Sequence, residues 1–106
     1  MSASLASFKA SLERLVRRFE ADKLHYLSKS YSEAQARVDF ISPFFKALGW
    51  DMENEDGLPH YTREVVVEAA EDSGGRPDYG FRASGQTKFF VEAKAPATVI
   101  NSQILR

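Results

Sequence analysis

The chain contains no cysteine, which removes disulfides, thiolate metal sites and cysteine nucleophiles together. Histidine is almost as scarce: His25 and His60 are the two present, too few for a multi-histidine zinc site. Any metal would therefore be held mainly by oxygen and would be a hard ion. No apolar run approaches the roughly 20 residues that a membrane helix needs. The first residues, Met1 to Lys9, lack a basic segment followed by an apolar one, so no secretory leader is read and the expected location is cytoplasmic. An excess of positive charge is also missing. The net charge is −1, and a nucleic-acid-binding domain is usually basic. A group of acids holding a divalent cation would pull the total negative as well, so net charge does not decide the matter.

With 106 residues, 43% apolar and 27% charged, the composition is that of one folded domain rather than a disordered chain. The charge is uneven. Residues 1–50 hold eight Lys/Arg against five Asp/Glu (+3), and residues 51–106 hold six against ten (−4).

Leu5, Phe8, Leu12, Leu15 and Phe19 recur at helical spacing, with Val16 widening the stripe, which predicts an amphipathic helix within residues 1–30. Asp22 falls at the next seam position and the heptads are not sustained, so core packing is favoured over a coiled coil. Residues Ser28 to Ser32 read as a linker. Ser32 then fits an N-cap with Gln35 completing a capping box. A second helix is predicted to Leu48, with Ala34, Val38, Ile41, Phe45 and Leu48 on the face toward the sheet. Pro43 cannot donate to the carbonyl of Asp39 and predicts a kink or break, and Gly49 fits the C′ position. Asp51 to Pro59 is acidic and turn-rich. Three strands are predicted at Tyr61–Glu71, Asp78–Ala83 and Thr87–Lys94, the last closed by Pro96. Residues 97–106 are too ambiguous to assign. Helices followed by meandering strands give an α/β (α+β) fold, with the helices packed on a short, mainly antiparallel sheet. Its last strand is an open edge, which invites pairing with a second copy.

Asp78, Glu92 and Lys94 carry the chemistry. Glu92 and Lys94 are two apart in a strand and share a face, with Phe90 beneath them and Ala93 opposite. A two-residue loop, Ser84-Gly85, sets Asp78 against Val91. A three-residue loop, Ser84-Gly85-Gln86, sets it against Glu92. In the second register two facing carboxylates repel unless a cation lies between them. Such an ion would activate water, while the lysine would orient or deprotonate that water and neutralise developing charge. Alone, Glu-x-Lys also reads as a surface ion pair and Pro-Asp as a turn. Glu64 and Glu68 could approach the ion or be strand-surface charge. Trp50, Phe44 and Phe45 read as core and His60 as a loop residue. Arg63, Arg76, Arg82 and Lys88 read as backbone-phosphate contacts or as scattered solvated charge.

The run Arg76-Pro77-Asp78-Tyr79, thirteen residues after Asp78, and then Val91-Glu92-Ala93-Lys94 resembles the PD-(D/E)XK nuclease motif. Upstream, Ser32-Glu33-Ala34-Gln35, Arg37, Phe40-Ile41-Ser42-Pro43-Phe44-Phe45 and Leu48-Gly49-Trp50-Asp51 are similar to the N-terminal nuclease domains of type I restriction subunits and of type IIG restriction-modification enzymes. The resemblance covers about Tyr31 to Pro96. It implies a restriction-endonuclease-like core over 31–96 and magnesium-dependent cleavage of double-stranded DNA, with manganese as a possible substitute. It implies Asp78, Glu92 and the backbone carbonyl of Ala93 as metal ligands, Lys94 as the catalytic lysine, and Glu33 as a further ligand of some relatives. It also implies a downstream Gln-x-x-x-Tyr element. Gln103 has no such tyrosine, so the expectation is a chain that stops short of the last helix and strand. On that expectation residues 97–106 are an incomplete element, translocase or methyltransferase domains follow in the same protein, and the piece alone cleaves weakly. The alternative is a non-catalytic DNA-docking or subunit-interaction module of the same fold.

Overall fold

A computed structural model describes residues 4–67 and 77–97. The fold is mixed α+β, with helices followed by a three-stranded antiparallel sheet in the order β1-β2-β3. The helical part comprises α1 (Leu5–Ala21), α2 (Lys23–Tyr26), α3 (Glu33–Ala36), a π-helical segment (Arg37–Ile41) and α4 (Ser42–Ala47). The strands are β1 (Val65–Val67), β2 (Tyr79–Ala83) and β3 (Gln86–Val91). Among the described residues no helix is long and apolar enough to cross a membrane.

Helix α1 starts at a Ser4 cap whose hydroxyl accepts the Ser7 N–H at 3.0 Å, while the Ser7 hydroxyl accepts the Ser4 N–H at 3.1 Å. Its apolar stripe packs through Phe8 on Phe44 and Phe19 on Phe40 and Tyr26. Leu5, at the end of the stripe, is 84% exposed.

The second predicted helix is built differently from its periodicity. Ser32 caps it by accepting the Gln35 N–H at 3.0 Å. The Gln35 side chain does not complete the box but donates to Asp39 Oδ1. The α-helical run is interrupted just before Pro43, although the chain stays helical through it. The turn before it widens, with Ser42 N–H bonding the Arg37 carbonyl five residues back, and Pro43 then sits in the first turn of α4, where no N–H is needed. The Asp39 carbonyl, which a proline cannot serve, accepts Arg18 Nη1 from α1 at 3.2 Å. The extra residue in this turn rotates the predicted apolar face. Ile41 and Phe45 still pack on the core, whereas Ala34, Val38 and Leu48 are exposed and the buried residue of α3 is Ala36. Gly49 ends the helix at φ 107°, with Gly49 N–H bonding the Lys46 carbonyl and Trp50 N–H the Phe45 carbonyl. This is the Schellman arrangement, and it turns Trp50 back beside Phe45.

Both rings land on Phe81, at centroid distances of 4.6 Å from Phe45 and 5.0 Å from Trp50. Phe81, Val65, Tyr79 and Met52 form the core, with Ile41, Phe45, Trp50 and Val91 packed around it. The first strand is shorter than predicted. Residues Tyr61 to Glu64 turn instead, because the Pro59 carbonyl takes the N–H groups of Thr62 and Arg63, and residues 68–71 lie outside the described residues.

The hairpin settles the register in an unexpected way. Its loop is the two residues Ser84 and Gly85, both at positive φ (52° and 78°), as the tightest hairpin turns require. Pairing begins Ala83 to Gln86 and Arg82 to Thr87, then shifts to Phe81 opposite Phe89 and Tyr79 opposite Val91. Lys88 is thus an extra, unpaired residue, a β-bulge. The turn belongs to the two-residue alternative and the pairing near Asp78 to the three-residue one.

Candidate functional site

Asp78 precedes β2, and Glu92, Ala93 and Lys94 follow β3. The third strand stops at Val91 rather than reaching Lys94, because the Ala93 N–H leaves the ladder for a side chain. It donates to Asp78 Oδ2 at 2.7 Å. The other Asp78 oxygen accepts Arg37 Nη1 at 3.0 Å. Glu92 Oε1 is 3.3 Å from Lys94 Nζ, while Ala93 between them is buried, as alternation along an extended chain requires.

The site is therefore two ion pairs joined through one peptide segment. Asp78–Arg37 is largely withdrawn from water, the side chains being 17% and 26% exposed. Glu92–Lys94 is open, at 67% and 48%. Phe90, expected beneath this pair, is exposed. Glu33 lies exposed in the first turn of α3 and makes no hydrogen bond or ion pair among the described residues. The side chain of that helical segment that reaches Asp78 is Arg37, one turn further on. Its spacing from Glu33 was the available signal, but a lone arginine in a helix reads as surface charge.

Asp78, Glu92 and the Ala93 carbonyl offer only oxygen donors, the ligand type a hard divalent ion takes, but Asp78 Oδ1 already has a cation against it in the Arg37 guanidinium. No group of three acids or histidines gathers among the described residues. A magnesium ion does not need one, since it commonly keeps several waters and takes one or two carboxylates.

Other candidate residues have structural duties. Glu64 Oε1 accepts the Asp51 N–H at 3.0 Å. Arg63 donates to the Val65 carbonyl, and Arg82 to the carbonyls of Arg63 and His60, so both arginines are turned to the backbone. Lys88 is exposed at the bulge. Glu68, Arg76 and Gln103 lie outside the described residues. A groove of about 770 Å³ between α1, α4 and the 51–56 loop does not include Asp78, Glu92 or Lys94 in its lining.

Among curated proteins the chain is similar to the type II restriction enzyme and methyltransferase RM.Eco57I of Escherichia coli, with 41% identity over 101 residues, covering 91% of this chain and 10% of that protein. The chain thus spans about a tenth of the length of that relative. No family model matches the chain, and no solved structure matches it.

Proposed function

We propose that this chain is the divalent-metal-dependent endonuclease module of a restriction-modification enzyme and hydrolyses phosphodiester bonds in double-stranded DNA. The observation that carries this reading is the 2.7 Å bond from Ala93 N–H to Asp78. It ties the acid at the start of one strand to the Glu92–Lys94 pair at the end of the next. The likeness to RM.Eco57I supports the same class of enzyme. Further methyltransferase or translocase domains of the same protein belong to the proposal.

Asp78, Glu92 and the Ala93 carbonyl would hold magnesium, or manganese in its place. Bound there, the ion supplies Lewis-acid polarisation of the phosphodiester and of water. The chain's own residues do the rest. The Ala93 N–H fixes the Asp78 carboxylate in place. Lys94 orients the attacking water and balances charge gathering on the phosphoryl oxygens. Glu92, in contact with Lys94, keeps the ammonium at the site. Hydrolysis forms one P–O bond from water and breaks one to the deoxyribose oxygen, which leaves with a proton.

A specific observation favours a second reading, the non-catalytic docking module. Asp78 is paired with an arginine, and a carboxylate so satisfied can be purely structural. A plasmid-nicking assay with magnesium separates the two. Lys94→Ala is expected to lower cleavage on the order of 10²–10³-fold with DNA affinity nearly unchanged. Asp78→Ala is expected to abolish cleavage and metal binding together. The 106-residue chain by itself is expected to nick slowly, since Glu92 is largely solvated and Asp78 is paired. Absence of any magnesium-dependent, Lys94-dependent nicking in the longer protein would favour the docking module. Equal loss of DNA affinity in Lys94→Ala would make that residue a backbone-phosphate contact.

A further inference from the structure

Four ion pairs occur among the described residues. Three are open to water, with every side chain between 48% and 78% exposed. Arg37–Asp78 is different. It joins residues 41 apart in sequence and has less than a third of either side chain exposed. A carboxylate so withdrawn needs positive charge beside it, and among the described residues that charge is the Arg37 guanidinium. Asp78 Oδ2 accepts the Ala93 N–H and Oδ1 the Arg37 guanidinium, so each oxygen keeps one lone-pair direction, and the group already beside Oδ1 is a cation. A divalent ion on Oδ1 would stand within a few ångströms of a guanidinium, and two positive charges at that distance in a part-buried place repel strongly.

We infer that Arg37 is the resident counter-cation of Asp78 and that a divalent ion must displace it. Metal binding and the Arg37–Asp78 ion pair are then mutually exclusive, while the Ser42–Tyr79 hydrogen bond still joins the helical part to the hairpin. Arg37 is a positioning residue: it acts on the reaction only through Asp78. The inference rests on the metal-site reading above and adds a competitor that sets the site's affinity. A substrate phosphate near the site would give the released guanidinium a new partner, so the metal would fill most readily when DNA is present.

The test is a calorimetric titration of the 106-residue chain with manganese alone, beside Arg37→Gln, Arg37→Lys and Asp78→Asn, each checked for folding by circular dichroism. Arg37→Gln is expected to bind manganese about tenfold more tightly than the parent, a coupling of ordinary size. Arg37→Lys keeps a cation at the position and is expected to return affinity toward the parent value. Asp78→Asn is expected to abolish binding. Equal or weaker binding in Arg37→Gln, with loss in Asp78→Asn, would overturn the competition while leaving the metal site standing. No binding in either parent or Arg37→Gln, or binding that survives Asp78→Asn, would overturn the metal-site reading and this inference with it. A second measurement does not depend on a variant that folds. Magnesium added to ¹⁵N-labelled parent chain is expected to shift the Arg37 guanidinium resonances, and unchanged resonances at saturating magnesium would overturn the displacement.

Discussion

The Asp51 carboxylate accepts the backbone N–H groups of Asp56 at 3.1 Å and of Glu55 at 2.8 Å, and these bonds, the first the larger influence, hold its pKa below the usual carboxylate range. Asn54, at φ 55°, closes the same loop by exchanging two hydrogen bonds with Leu58. The folded chain therefore prefers the ionised acid more than the unfolded chain does. The stabilising contribution is fully present above the unfolded value of about 3.9 and is lost as pH falls through the lower folded value. Asp51→Asn keeps one acceptor oxygen but cannot titrate. Urea midpoints measured from roughly pH 6 down to pH 2.5 are expected to fall less steeply for Asp51→Asn than for the parent over the acid part of that range. Coincident curves would show that the two N–H bonds do not discriminate charge. Tyr31 illustrates the opposite sign. Burial first, and then its 2.7 Å bond to Asp39, raise the phenol well above its ordinary value, so it stays a neutral donor to that carboxylate.

At the level of elements, the hairpin between Asp78 and Glu92 shows what a sequence carries and what it withholds. Ser84-Gly85 announces a tight turn, and the alternation of Phe89, Phe90 and Val91 announces a strand. Nothing announces a bulge at Lys88, because neither glycine nor any other unusual residue marks it. The helix from Ser32 behaves likewise. Its cap at Ser32 and its stop at Gly49 were legible, since each rests on one local hydrogen-bonding solution. The face it buries was not, because a single widened turn breaks the 3.6-residue period on which Val38 and Leu48 were assigned to the core. At the site, strand spacing left Asp78 opposite either Val91 or Glu92, and the bulge that decides between them needed the third dimension, as did Arg37. One expectation follows from the bulge. Deleting Lys88 should leave Arg82 opposite Thr87 and Phe81 opposite Phe89, a regular hairpin with the same residues beyond it in register. The Ala93 amide should then keep its protection against hydrogen exchange. Loss of that protection would mean that the bulge itself aims the end of β3.

Among the described residues, the helices and the sheet are held by few fully buried side chains, and β3 is an edge strand of the sheet with exposed side chains. How the first helix is fastened to the rest becomes important on that account. Beyond the contacts of Phe8 and Phe19, it is anchored where Arg18 meets the Asp39 carbonyl, and that carbonyl is free only because residue 43 is a proline. An irregularity in one helix thus serves as the socket for another. Pro43→Ala would supply the missing amide and restore helical bonding along residues 33–47, improving that helix in isolation. The same amide would compete with Arg18 for its acceptor. The expected result is a chain whose residues 33–47 exchange amide protons more slowly while those of α1 exchange faster, with little net change in the midpoint of unfolding. Slower exchange in both would show that the two layers are joined by their rings alone. A repaired helix that loosens its neighbour would mean that cohesion between the layers depends on a local defect.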